Sequence, residues 1–434
     1  MMIDNVVCPF CGTLCDDIEI GIKNDDISNV KHACKIGSTK FLNARKHRFL
    51  TPLIRKNGKL EETSMDRAIE KASQILAKSK HPLMYGWANT TCEVHRVGAA
   101  LAEELGAVID SCTSVCHGPS ELAFADVGYP TSTLGEVKNR ADLVIYWGAN
   151  PMHAHPRHLS RYSVFPKGYF RDRGHKDREL IVVDVRKTDT AKIANSFIQI
   201  EQGKDYEMFS ALRTVVNGGE ITQEKIAGVS REDIYKLAKK LTSCEWGIIF
   251  FGQGLTMSDG KIRNVDNAIC LAKDLNRHTK FSIMMLRGHY NVTGFSEVLN
   301  WQAGFPFAVD FSRGYPRYNP GETASNDVLQ HKEVDAAVIV ASDPVAHFPR
   351  RSVEYLTSIP LITIDPHWSP TTEFSDIVFP CAIAGIEFEG TAYRMDTVPI
   401  RMRKVIDPPD GILTDGEILQ RIHNRVKEIK NNGG

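Results

Sequence analysis

The chain has 434 residues, 42% hydrophobic and 24% charged, enough for two to four domains with sizeable cores. Its 53 basic and 53 acidic side chains cancel, so charge offers no argument for nucleic acid or an anionic membrane. Met1 to Cys8 has no basic stretch followed by an apolar run, and the longest apolar runs are strand-sized, so the expectation is a cytoplasmic protein without a membrane span.

Ten cysteines in such a chain read better as metal ligands, nucleophiles or buried thiols than as disulfides. CPFCGTLC followed by Cys34 places Cys8, Cys11, Cys15 and Cys34 in a Cys-x2-Cys-x3-Cys-x18-Cys pattern. Three thiolates on one tight loop and a fourth from a distant turn can surround a [4Fe–4S] cubane. Structural zinc is the competing reading, but such sites usually present two Cys-x2-Cys knuckles and this chain has one plus an x3 step. Lys35 follows the fourth cysteine; it is either an electron-transfer contact between the cluster and a second cofactor or a solvated surface lysine. Residues 1–50 therefore read as a small [4Fe–4S] module.

From about residue 65, helical and strand patterns alternate. Met65 to Ser79 is an amphipathic helix, His81 to Trp87 a strand ending at Gly86, and Cys92 to Leu105 a helix stopped by Gly106. The alternation continues to about 385, which predicts α/β architecture with mainly parallel sheets. The strand Ala107 to Asp110 leads into SCTSVCHGPS, residues 111–120. Cys116 on that loop could be a nucleophile, a metal ligand or a buried thiol. Neighbouring Cys and His side chains diverge, so a nucleophile–base pair fits poorly. A soft thiolate on a redox metal, with His117 as proton carrier, fits better. Arg287, in MMLRGHYNVTG, has the planar fork that holds a small carboxylate, although an ordinary ion pair is the commoner use of an arginine.

An internal repeat stands out. DLVIYWGANPMHAHPRH (142–158) recurs as DAAVIVASDPVAHFPRR (335–351), aligning Asn150-Pro151 with Asp343-Pro344. Each copy is a strand, an Asx-Pro turn, a helix and a second strand ending in Asp, at Asp184 and Asp365. Strand-end acids in open α/β sheets commonly meet a ribose or base edge, so two copies suggest two nucleotide-like sites. Turn initiation by Asx-Pro and helix capping by Asp would be the plainer explanation of either copy alone.

Taken in order, CPFCGTLC…CK, SVCHGPS, WGANP, VVDVRKTDTAKIA, FFGQG, LRGHYNVTG, ASDP and FSDIVFPCAIAGIEFEGTAYR resemble the molybdopterin oxidoreductases of the formate dehydrogenase branch. More closely, they resemble the B-subunit family of formylmethanofuran dehydrogenase. The resemblance covers about residues 5–405. It implies two molybdopterin guanine dinucleotides holding Mo or W, with Cys116 as the protein ligand and His117 and Arg287 flanking the metal. Asn150, Asp184 and Arg186 match the first dinucleotide-binding set, and Gly252, Gly254, Asp343 and Asp365 the second. The implied activity is reduction of CO2 to formate for delivery to a subunit that formylates methanofuran.

The implied architecture is the 1–50 module plus two Rossmann-like parallel-sheet domains, one inserted in the other. One comprises 51–110 and 246–405; the inserted one is 111–245; a C-terminal helix and tail form 406–434. Related formate dehydrogenases continue into a β-rich domain that closes over both pterins, whereas this sequence finishes with a helix, Asp415 to Lys430, and a polar tail. The resemblance therefore implies a separate small β-rich subunit, an amidohydrolase-like zinc subunit and ferredoxin-like electron-supplying subunits. Two rivals are a formate dehydrogenase α-subunit with a split C-terminal domain and a non-catalytic electron-relay relative. The relay would be marked by loss of Cys116, Arg287 or the Asx-Pro pairs, all of which are present.

Overall fold

The computed structural model describes residues 1–432; the two glycines that close the expected tail lie outside the described residues. Strands Met2–Val6, Ile18–Lys23 and Asp26–Lys31 form an antiparallel sheet, and the first cysteine loop sits in the link between the first two. Val6, Ile18, Ile20 and Ile27 pack beneath Phe41 and Ala44, in a small core shared with Ile386, Val405 and Ile406.

The helices follow from local chemistry. Met65–Lys78 starts at Ser64, whose hydroxyl accepts the Arg67 N–H, and buries Ala68, Ala72 and Leu76 at helical spacing. Cys92–Leu105 stops at Gly106, which takes the left-handed conformation (φ 65°) that terminates helices without a Cβ penalty.

The chain divides into an outer unit (1–114, 289–394 and 399 onward) and an inserted unit (115–288 with 395–398). The inserted unit holds a five-stranded parallel sheet in the order Ser196–Gln199, Glu179–Asp184, Leu143–Trp147, Trp246–Phe251, Lys280–Met285. Five parallel strands form the middle of the nine-stranded outer sheet, in the order Ile377–Phe379, Leu361–Ile364, Ala336–Val340, Pro82–Gly86, Val108–Ser111. The position-by-position match means that the outer sheet runs the same five strands in circularly permuted order. Its first two precede the insertion and its last three follow it.

This topology corrects the expected boundaries. Trp246–Phe251 pairs in register with Leu143–Trp147, from Gly247 opposite Leu143 to Phe251 opposite Trp147, so it and Lys280–Met285 complete the inserted sheet rather than the outer one. The C-terminal helix, Asp415–Asn432, is likewise no separate appendage. Ile418, Leu419, Ile422 and Val426 belong to the outer core with Ala68, Ala72 and Leu76, and Arg425 pairs with Glu70 at 2.7 Å. No helix among the described residues is long and apolar enough to cross a membrane.

Candidate functional site

The two Asx-Pro turns are built alike at atomic detail. Asn150 Oδ1 accepts the Thr190 hydroxyl at 2.7 Å; Asp343 Oδ1 accepts the Thr371 hydroxyl at 2.6 Å and its N–H at 2.9 Å. Two residues before each threonine, Thr188 and Ser369 cap the short helix by accepting the Ala191 and Thr372 N–H groups. At the strand ends, Asp184 accepts the Arg186 N–H at 3.2 Å and Asp365 the His367 N–H at 2.9 Å. The repeat therefore extends past the aligned motif into KTDTAK and WSPTTE, where the threonine spacing was the available signal. Arg186 is exposed beside the half-buried Asp184, whose pKa burial raises.

Close backbone approach explains the glycines. A Cβ on Gly254 would lie 2.7 Å from the Gly148 Cα, and one on Gly252 2.8 Å from the Gly148 carbonyl oxygen. Gly148 itself has φ 54°. Gly252 and Gly254 thus stand with Asn150 and Asp184 in the inserted unit, on a different sheet from Asp343 and Asp365. The outer unit's counterpart is Gly86 (φ 126°), where a Cβ would run into the Val340 carbonyl oxygen. Sequence reading took Gly86 only as the end of a strand. These glycine-lined strand ends lie at the carboxyl edges where open α/β sheets receive ligands, and the neighbouring backbone accounts for their lack of Cβ atoms.

The reactive loop is held from both sides. The partly buried Cys116 offers its carbonyl to the Thr256 hydroxyl at 2.7 Å. His117 caps the helix Gly118–Val127 and is buried, with Nε2 at 3.2 Å from the Leu286 carbonyl and Nδ1 at 3.0 Å from Ser120 Oγ. A carbonyl can only accept, so Nε2 carries the hydrogen and Nδ1 accepts the Ser120 hydroxyl. Burial, reinforced by the Arg287 charge, pushes the ring down to about 3, so it stays neutral. Arg287 is buried next in sequence to Leu286, and its Nη2 pairs with Glu121 Oε1. Its carbonyl receives the His155 Nε2–H at 2.7 Å, whereas the exposed His153 pairs with Asp189, so these two closely spaced histidines serve different partners. Sequence reading missed Glu121, because an acid in the first turn of a helix is ordinary.

Around the cysteine loop, the Cys8 N–H bonds the Cys15 carbonyl at 2.8 Å and Cys34 caps the helix Lys35–Leu42, its sulfur accepting the Gly37 N–H at 3.3 Å. Burial and the charges of Cys11, Cys15 and Cys34 raise Cys8 well above the ordinary thiol value, so the four sulfurs share one electrostatic neighbourhood. A Cβ on Gly37 would lie 3.3 Å from Cys8 Sγ and 3.7 Å from Cys34 Sγ. A side chain there would crowd both sulfurs, and a backbone N–H donated to a ligating thiolate is a feature that tunes iron–sulfur clusters, so these residues fit a cluster. Among the described residues, no three His, Cys, Asp or Glu side chains converge on the position of a single metal ion, and none of the ten cysteines forms a disulfide.

Beside this loop the outer unit holds a cavity of about 820 Å³, bordered by Phe10, Lys40, His289, Tyr290 and the Asp365–Trp368 turn. That volume is in the range of cofactor sites. Burial, with smaller contributions from Asp343 and Asp415, raises Asp365 to about 7, so near neutrality its carboxyl can donate as well as accept. Lys40, not Lys35, borders the cavity: its ammonium lies 5.2 Å from the Phe10 ring centroid, and its charge opposes the burial that raises Cys11 and adds to the burial that lowers His289. Lys35 is exposed on the helix's first turn.

Residues 48–425 match the family model described as molybdopterin oxidoreductase. The chain is 55% identical over 431 residues, 99% of each chain, to the B subunit of tungsten-containing formylmethanofuran dehydrogenase 2 of Methanocaldococcus jannaschii. It is 53% identical to the B subunit of the same-named enzyme of Methanococcus maripaludis, over 98% of this chain and 99% of the relative. Among solved structures, a chain of the formyltransferase/hydrolase complex of Methylorubrum extorquens in complex with methylofuran superposes with a TM-score of 0.70. That match has 22% identity and covers 87% of this chain and 99% of the other, which shows a shared fold. On the family match and on identity above one half along nearly its whole length, this chain belongs to the molybdopterin oxidoreductases and, within them, to the B-subunit family of formylmethanofuran dehydrogenase.

Proposed function

We propose that this chain is the catalytic subunit of a formylmethanofuran dehydrogenase and reduces CO2 to formate for delivery to a partner that formylates methanofuran. The observation that carries the reading is the meeting of two segments 169 residues apart. His117 of the Cys116–His117 loop bonds the carbonyl of Leu286, directly before Arg287, and Glu121 of the same loop's helix pairs with Arg287. The loop that carries Cys116 and His117 is thereby tied to Arg287 within the inserted unit.

Cys8, Cys11, Cys15 and Cys34 would hold one [4Fe–4S] cluster, and Cys116 would be the protein ligand of Mo or W. Asn150, Asp184, Arg186, Gly252 and Gly254 on one sheet, and Asp343, Asp365 and Lys40 on the other, would hold two molybdopterin guanine dinucleotides. When bound, the metal centre supplies the two-electron redox chemistry. The chain's own residues do the rest. Arg287 offers a fixed, always-charged fork to a carboxylate. His117 Nδ1, which accepts from Ser120, is the ring nitrogen without a hydrogen, and with the ring's pKa so low it would hold a proton only transiently before passing it on. Burial of both side chains excludes water from the reacting group.

The same reading assigns the chain to a cytoplasmic complex. A small β-rich subunit covers the pterins, an amidohydrolase-like zinc subunit uses the formate, and ferredoxin-like subunits supply electrons. The multi-subunit formyltransferase/hydrolase assembly of the structural relative supports such partners. The test is Cys116→Ala in the purified complex, with metal and iron analysis. Formate oxidation and CO2 reduction are expected to vanish while close to four irons per chain remain. Normal turnover in that variant, or stoichiometric zinc in place of iron after anaerobic preparation, would refute the corresponding assignment.

A further inference from the structure

We propose that Glu121 sets the aim and the effective charge of Arg287, so that formate meets a neutral Arg287–Glu121 pair rather than a bare cation. This rests on the reading of Arg287 as the group that receives the substrate carboxylate. Glu121 lies in the first turn of Gly118–Val127, the helix that His117 caps, and its neighbour Ser120 holds the His117 ring. Consecutive residues of one turn therefore hold both side chains expected to act on substrate.

The two members of the pair are 2% and 11% exposed, so solvent screens their charges poorly. A guanidinium alone in such a place would draw formate strongly and release it slowly. With Glu121 beside it, hydrogen bonding to a carboxylate is kept while net attraction for an anion falls. CO2 is uncharged, so its arrival is little affected. Glu121 is thus a positioning residue that favours departure of formate.

Glu121→Gln isolates the effect, because Gln keeps the shape and an acceptor oxygen for Arg287 but deletes the charge. In the purified complex, loaded with metal, the formate-induced change in the metal's EPR spectrum gives formate affinity independently of turnover. At least fivefold tighter formate binding and a lower formate KM are expected for Glu121→Gln, with Glu121→Asp within twofold of wild type. Unchanged or weaker binding in Glu121→Gln, or Asp behaving as Gln does, would overturn the proposal. Should Glu121→Gln fail to assemble, Glu121→Ser, which deletes the charge in a smaller side chain, decides. At least fivefold tighter formate binding is expected for it too, and affinity within twofold of wild type would refute the proposal. Arg287→Met checks the underlying reading separately, since unchanged formate affinity in that variant would remove Arg287 from the site whatever Glu121 does.

Discussion

Thr190 and Thr371 make the same bond in the two halves of the repeat, but to different acceptors, and that difference predicts unequal costs. Thr→Val keeps the β-branched shape and deletes the hydroxyl. Thr371 loses a 2.6 Å bond to the carboxylate of Asp343, whereas Thr190 loses a 2.7 Å bond to the neutral carboxamide of Asn150. Hydrogen bonds to charged groups contribute about 1.5–3 kcal/mol and neutral ones about 0.5–1.5 kcal/mol. Both threonines are buried, so water cannot replace the lost hydroxyl. Thr371→Val is therefore expected to cost about 2 kcal/mol and Thr190→Val about 1 kcal/mol. The assay is urea denaturation of the cofactor-free chain, with hydrogen exchange assigning the loss to Leu361–Ile364 in one variant and to Glu179–Asp184 in the other. Equal costs, or a larger cost for Thr190→Val, would refute the view that the two turns differ by the charge of their acceptor.

Arg287→Lys keeps the charge but loses the planar fork, and is expected to slow formate oxidation by roughly 30- to 1000-fold, the equivalent of about 2–4 kcal/mol in the transition state; wild-type kinetics would leave Arg287 only its ion pair with Glu121. Asp365 is raised from 3.8 to about 7, so in the folded chain it stays protonated where the unfolded chain has ionised, and its stabilising contribution is lost as pH rises across that window. Asp365→Asn is therefore expected to match wild-type stability near pH 3.5 and to exceed it by on the order of 2–4 kcal/mol at pH 8; a difference that does not vary with pH would contradict the assignment. Lys40→Gln is expected to shift the redox potential of the proposed cluster and slow electron transfer, with Lys35→Gln near wild type; the reverse order would assign the role to Lys35.

Much of this was legible because the signals were local. Gly106 ends its helix where a glycine after an apolar-periodic run predicts, and the Asx-Pro repeat marks strand ends by turn chemistry alone. The insertion boundary was not legible. Trp246–Phe251 and Lys280–Met285 are short apolar runs that suit any buried parallel strand, and only long-range pairing with Leu143–Trp147 decides which sheet they join. Which lysine borders the cavity was not legible, for a geometric reason. Proximity to Cys34 favoured Lys35, but five residues of helix turn the direction by about 140° and advance it by about 7.5 Å, which brings Lys40 to the cavity. Glu121 and Gly86 were overlooked because each has a commonplace local use, as a first-turn acid and as the last residue of a strand.

The two halves keep in common what shapes the backbone and differ in what faces a ligand. Both retain an Asx side chain accepting a threonine hydroxyl, a capped short helix and a strand-end aspartate. After that aspartate, however, the inserted copy carries an exposed Arg186, while the outer copy carries His367 and draws its cation from Lys40 on a different element. The Asx position is a neutral amide in one copy and an acid in the other. On the proposed reading, an anionic dinucleotide would meet the permanent positive charge of Arg186 on one sheet, and on the other Asp365, whose carboxyl burial raises to about 7. On the proposed reading of two dinucleotide sites, the duplicated frame offers one backbone shape with different electrostatics, so the two ligands are expected to be held with unequal strength and unequal pH dependence.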